Sequence, residues 1–336
     1  MMDRYQVIGA LGSPYSMKLR AIMRYRRLPF DWVHRSPDMG KRLANRLKVA
    51  LVPILHIPKD DAYLVDSTPI AYELERRHSE RSILPDDPGL AFLSHLIEDM
   101  ADEWITKAMF LYRWEKPEDQ EYSARWIIAD SRPDLDGQAF EDAVQGILER
   151  QVGRMRLVGC TPENAPVIKA SYWRALEALA PHVRINRYLF GSRPSLGDFG
   201  MFGQLKTLAT DTSPMLEMRG KVPMVEHWLR QMDDVSGVEG EWIENVSDLP
   251  DATLELLRLA GEVYLPFLHA NAAAANAGED RFAVTLMGQP YAQAPFGYQV
   301  KCLDWLREEL AGLDDEARAR IRPVLEETGC WNLLTD

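Results

Sequence analysis

Three short segments of this chain carry residue types that suit chemistry: Ser13 in Gly12-Ser13-Pro14-Tyr15-Ser16, the backbone of Val52-Pro53, and the pair Asp66-Ser67. Ser13 stands between an apolar run, Tyr5 to Leu11, and a stretch with helical spacing. A hydroxyl there lies beside the free N–H groups and the positive end of a helix, where an anion is welcome. The plainer role for Ser13 is a helix cap. Asp66-Ser67 follows the apolar Tyr63-Leu64-Val65 and opens a second helical stretch. Its carboxylate is a partner for an ammonium and its hydroxyl a donor to a carboxylate, although a cap alone would also account for the pair.

The elements that must position these groups are legible. Tyr5 to Leu11 is too short for a helix and is bounded by Gly12, so a buried strand is expected. From Ser16 onward Leu19, Ile22, Met23 and Arg26 recur at helical spacing, with Lys18, Arg20, Arg24 and Arg27 around them, and Pro14 suits the first turn. Ile54-Leu55-His56-Ile57 reads as another strand. Residues 79–89 hold Pro85, Asp86, Asp87, Pro88 and Gly89, a linker with turn chemistry. Beyond it Leu93, Leu96, Ile97, Met100, Trp104 and Ile105 keep one apolar face, and Glu98, Asp99, Asp102 and Glu103 are expected on a solvated one. Ser195 and Asp198 have the spacing of a capping box.

In order and interval the three segments resemble the serine-type glutathione transferases, with the Ser13-Pro14-Tyr15 wording closest to the plant tau class. Ser195-Leu196-Gly197-Asp198-Phe199 resembles the folding element of that family's helical domain. The resemblance covers roughly residues 4–235. It implies a cis Val52-Pro53 bond that turns the Val52 backbone toward the cysteinyl part of glutathione, with Asp66 and Ser67 on the γ-glutamyl group. It also implies that Ser13 is the hydroxyl that activates the thiol. Tyr15 and Ser16 are possible pocket residues, Ser16 being the second-best hydroxyl. Two departures stand out. The tau pattern has lysine where this chain has Leu51, so Lys48 or Arg46 is left to reach the glycyl carboxylate, and Asp66 replaces the usual glutamate. In dimeric relatives an acid on the first long helix reaches the partner's glutathione amine, a role open to Asp99 or Asp102.

Composition bounds the function. The net charge of −12 argues against nucleic acid as a partner. Residues 1–80 nevertheless carry 14 Lys/Arg against 9 Asp/Glu, a basic bias that would draw an anionic tripeptide. Three distant cysteines, Cys160, Cys302 and Cys330, offer neither a disulfide framework nor zinc spacing, and the histidines show no metal motif, so no metal is expected. No apolar run approaches a membrane span, and Met1-Met2-Asp3-Arg4 leads directly into strand-like sequence, which points to the cytoplasm.

The expected architecture is an α/β thioredoxin-like glutathione-binding domain (1–78), an all-α glutathione-transferase helical domain for the second substrate (90–235), and a small α/β C-terminal extension (245–336). In the extension a helix from Leu249 to His269, a strand at Phe282, Val284 and Leu286, a turn at Gly288-Gln289-Pro290 and a helix from Val300 to Leu310 are expected, with the strand pair docked on the helical body. The function implied is a glutathione transferase, a cytoplasmic homodimer of the kind used in detoxification. Glutathione is its co-substrate, and its thiol is activated against a small electrophile or disulfide. The alternative is a non-catalytic glutathione- or ligand-binding protein of the same fold.

Overall fold

The computed structural model describes residues 4–34, 37–48 and 51–335; Met1, Met2 and Asp3, expected to lead into the first strand, lie outside the described residues. The N-terminal unit runs β1 (Tyr5–Ile8), α1 (Pro14–Tyr25), β2 (Phe30–Val33), α2 (Pro37–Ala44), β3 (Ile54–Ile57), β4 (Ala62–Val65) and α3 (Ser67–Arg77). The sheet order is β2-β1-β3-β4, with β1 and β2 parallel and the other pairs antiparallel, the thioredoxin-like arrangement expected. β1 stops at Ile8 rather than Leu11 because the backbone at Gly9 packs on Trp32; an added Cβ would meet its ring at 2.5 Å.

A helical body follows: α4 (Pro88–Met100), α5 (Thr106–Glu115), α6 (Pro117–Ser131), α7 (Gly137–Arg154), α8 (Ala165–His182), α9 (Leu196–Leu208), α10 (Thr212–Lys221) and α11 (Pro223–Met232). Asp87 caps α4 through Leu90 N–H at 2.9 Å. Ser195 and Asp198 form the expected reciprocal capping box at the buried start of α9. A π-helical segment, Ala101–Ile105, joins α4 to α5.

The C-terminal residues add α12 (Asp251–Leu259), α13 (Leu265–Ala277), the hairpin β5 (Phe282–Leu286) and β6 (Gln289–Gln293), then α14 (Gly297–Gly312), α15 (Asp315–Glu327) and α16 (Trp331–Thr335). The hairpin turns at Met287-Gly288, one residue earlier than expected. Both residues have positive φ, the two-residue geometry that matches strand twist, so Gln289 and Pro290 enter β6 instead. Phe282 and Tyr291 of the hairpin pack on Phe267 of α13, and Asn164 at the start of α8 pairs with the backbone of Ala292, so the hairpin docks on the helices. One hydrophobic cluster runs from Met17 through the helical body to Leu334.

The acids of the α4–π segment correct the expectation of a solvated face. Lys18 of α1, wholly buried, is ion-paired to Glu98 and, at 2.5 Å, to Asp102, while Thr68 donates to Glu98 at 2.6 Å. One turn-row away, Asp99 accepts from Tyr264 at 2.6 Å and Glu103 from Gln299 at 3.2 Å. The spacing i, i+4 puts Glu98 with Asp102 and Asp99 with Glu103, so two acidic rows on one helix are buried by opposite neighbours. His95 closes the cluster, contacting Glu309 and lying 3.8 Å from Glu98.

Two tests follow from this burial. Burial alone would lower the Lys18 pKa, but Asp102 and Glu98 outweigh it and hold the ammonium charged. Lys18→Met leaves two buried carboxylates without a counter-ion and should cost about 3–5 kcal/mol of stability, read by chemical denaturation; a loss below about 1 kcal/mol would contradict the pairing. For His95, burial is overcome by Glu309, Glu98 and Asp99, which raise its pKa to about 9. A raised histidine pKa stabilises fully below the unfolded value, about 6.5, and that contribution disappears as pH rises through about 9. The denaturation midpoint should therefore fall more steeply between those pH values in the parent protein than in His95→Gln.

Candidate functional site

Strand register places the three segments. Ile8 of β1 pairs with Val33 on one side and Ile54 on the other, and Ile54 pairs with Val65. Because β3 runs antiparallel to both β1 and β4, the residues after Ile8, before Ile54 and after Val65 all leave the sheet at the same end. Ser13, Val52-Pro53 and Asp66-Ser67 thus converge at one rim of the N-terminal sheet.

Ser13 is held by contacts from both domains. Its backbone is extended (φ −98°, ψ 118°), and Oγ accepts from Ser16 N–H at 3.2 Å, so it is the cap of α1. That bond uses an acceptor position and leaves the O–H for donation. The preceding loop is pinned by the helical body: Leu11 N–H donates to Asp130 at 2.7 Å, and Arg113 donates to the Gly12 carbonyl at 2.7 Å. Arg113 is itself fixed by the buried Asp211 at 2.8 Å. A side chain at Gly12 would press on Ile127 at 2.9 Å, which explains the glycine before Ser13.

The other two hydroxyls of the turn lie deeper. Ser16 is wholly buried, and its Oγ accepts from Ala10 N–H at 3.3 Å. Tyr15 donates to the Asp102 carbonyl at 3.0 Å and sits 3.2 Å from Thr106, which makes it a brace between α1 and the π segment. Burial, with Glu103 and Asp102 nearby, raises its pKa well above the ordinary phenol value and keeps it neutral.

The Val52-Pro53 bond is cis, as expected. Among the described residues neither Val52 N–H nor its carbonyl is bonded to another backbone group. Asp66 caps α3 from a positive φ of 74°, and one carboxylate oxygen accepts from Thr68 N–H at 3.3 Å. Ser67 is buried, and its Oγ has no hydrogen-bond partner among the described residues. Sequence reasoning missed one residue here: Tyr298, in the first turn of α14, donates to the other oxygen of Asp66. Two hundred and thirty-two positions separate them, and nothing local in either segment signals the contact.

The basic groups are less available than the charge bias implied. Arg20 and Arg24 pair with Asp233, and Arg27 and Arg81 with Glu239, so these cations fasten the two domains. Arg46 pairs with Asp61 at 2.8 Å, whereas Lys48 is exposed; Leu51 is 65% exposed. Asp99 and Asp102 are buried within the chain by Tyr264 and Lys18 and do not present a carboxylate to a partner subunit. His95, Glu98 and Asp99 lie within 4.8 Å of one another, a grouping that the search for histidine motifs did not find. Each contacts a protein group from another element: Glu309, Lys18 and Tyr264 respectively. The cysteines are buried thiols, and burial raises Cys160 and Cys330 to about 12. No helix among the described residues is long and apolar enough to cross a membrane.

Residues 7–82 match the family model described as glutathione S-transferase, N-terminal domain. No curated protein matches the chain. Among solved structures, a glutathione S-transferase from Methylobacterium radiotolerans, in complex with glutathione sulfonate, is 18% identical over 74% of this chain and 100% of its own (TM-score 0.43). The beta-etherase LigF from Sphingobium sp. strain SYK-6 is 18% identical over 69% and 95% (TM-score 0.48). A tau class glutathione S-transferase from mango, Mangifera indica, is 17% identical over 71% and 92% (TM-score 0.40). Residues 7–82 thus form a domain of the glutathione S-transferase N-terminal type.

Proposed function

We propose that the chain is a glutathione-dependent transferase that binds glutathione at the sheet rim and activates its thiol for attack on a small electrophile or a disulfide. The observation that carries this reading is the convergence of Ser13, Val52-Pro53 and Asp66-Ser67 at one end of the sheet, each with hydrogen-bonding capacity left for a ligand. Asp66 takes the γ-glutamyl ammonium, Ser67 Oγ its carboxylate, and the Val52 backbone pairs with the cysteinyl amide in the manner of an added strand. Lys48, exposed near this rim in sequence, is the cation for the glycyl carboxylate.

Chemistry then needs a thiolate near neutral pH. Ser13 donates its O–H to the glutathione sulfur beside the N-terminus of α1, where both the hydrogen bond and the helix field favour the charged form. The sulfur, not the protein, forms the new bond to the electrophile. A cytoplasmic homodimer belongs to the same reading by resemblance. The exposed Leu51, where the resembled pattern has lysine, favours the second reading of a binding protein without turnover.

Calorimetry and kinetics separate these readings. Asp66→Ala removes a charge-assisted contact worth about 1.5–3 kcal/mol and should weaken glutathione roughly tenfold or more. Unchanged affinity in the folded variant would sink the assignment. Ser13→Ala should leave affinity within a few-fold and lower turnover on the order of ten- to a hundredfold at neutral pH. Glutathione binding by the parent protein with no turnover across a panel of electrophiles and mixed disulfides would select the second reading.

A further inference from the structure

The C-terminal extension reaches the rim where Asp66 lies. The first turn of α14 is fixed at two points: Tyr298 donates to Asp66 at the rim, and Gln299 donates to Glu103 of the π segment at 3.2 Å. The Tyr298 ring is set by the edge of Trp305, one helical repeat further along α14, with ring centroids 5.9 Å apart. Ser67 Oγ, beside Asp66 in the chain, is buried and has no hydrogen-bond partner among the described residues. Buried polar atoms are rarely left unpaired, so an unpaired Ser67 hydroxyl beside the Asp66–Tyr298 contact suits a polar ligand.

We infer that Tyr298 is a ligand-binding residue of the γ-glutamyl subsite, supplied in cis by the extension. The inference rests on the reading of Asp66 given above. A tyrosine hydroxyl that donates its one proton to a carboxylate still has lone pairs to accept with. Asp66 and the Tyr298 oxygen together then offer a primary ammonium two acceptors instead of one. The Tyr298 hydroxyl stays protonated in this role, since burial and the neighbouring Asp66 both oppose its ionisation. The ligand class that fits is an α-amino acid terminus with a free amine, as in glutathione and other γ-glutamyl peptides. The extension thereby does more than pack: it discriminates ligands by the presence of that amine.

Calorimetry on the full chain tests this with Tyr298→Phe and two ligands, glutathione and its analogue lacking the α-amino group. The phenylalanine keeps the ring against Trp305 and deletes only the hydroxyl. Glutathione affinity should fall about three- to tenfold, the loss of one neutral hydrogen bond, while affinity for the deaminated analogue stays unchanged. Equal losses for both ligands would make Tyr298 a structural brace of Asp66, and tighter binding of glutathione would make it an occluding group; either overturns the inference. Asp66→Ala is measured alongside. If it weakens glutathione and Tyr298→Phe does not, the extension's role falls and the Asp66 assignment stands; if neither variant changes affinity, both fall.

Discussion

The ammonium of Lys18 is the point on which the arrangement of the two domains turns. A charge taken wholly out of water costs several kcal/mol unless it is paired and hydrogen-bonded. Here the compensation comes from across the domain boundary, from Glu98 and Asp102 on the α4–π segment, with Thr68 of α3 bridging to Glu98. That geometry ties α1, whose first residues carry Ser13, and α3, whose cap is Asp66, to the same long helix. A slide of one domain on the other would leave a buried charge unpaired, so the sheet rim is held in one place relative to the helical body. Close approach reinforces this. Gly203 of α9 passes the Pro14 carbonyl and Gly200 passes Glu98 so tightly that a Cβ would meet them at 2.7 and 2.9 Å.

The same helix is used a second time from its other side. The π segment carries Glu103 and Trp104 toward the extension, where Gln299 receives the first and the rings of Phe267 and Tyr291 the second, while Tyr264 reaches Asp99 one turn earlier. Lys107, one turn further on, is buried among those rings with no carboxylate partner among the described residues; burial lowers its pKa to about 8, and it donates to Gln293 of the hairpin at 2.8 Å. A helix that is polar on two faces and buried on both thus acts as a central post, with the N-terminal domain on one side and the extension on the other. The reach of α14 to Asp66 is a result of that post.

How much of this was readable depended on the range of the interaction. Ser13 as a cap, the capping box of Ser195 and Asp198, the Val52-Pro53 and Asp66-Ser67 segments and the strands around them are local patterns, and each carries its own signal. Acids at 98, 99, 102 and 103 read as a wet face because a single helix shows its spacing and not its neighbours; the lysine and the tyrosine that bury them lie 80 and 165 positions away. The hairpin turn moved by one residue because the positive φ of Met287 is not a preference that methionine announces. Tyr298 could not have been found from sequence, since its significance comes only from the residue it touches.

In the proposed function the rim at Ser13 stabilises a thiolate on bound glutathione, and the thiolate absorbance of the protein–glutathione complex titrated against pH tests that role directly. The bound thiol should titrate below the ordinary thiol value of about 8.5 in the parent protein and move back toward that value when Ser13 is replaced by alanine. A bound thiol that titrates at the same pH with and without the Ser13 hydroxyl would contradict it, and would leave Ser13 as a helix cap alone.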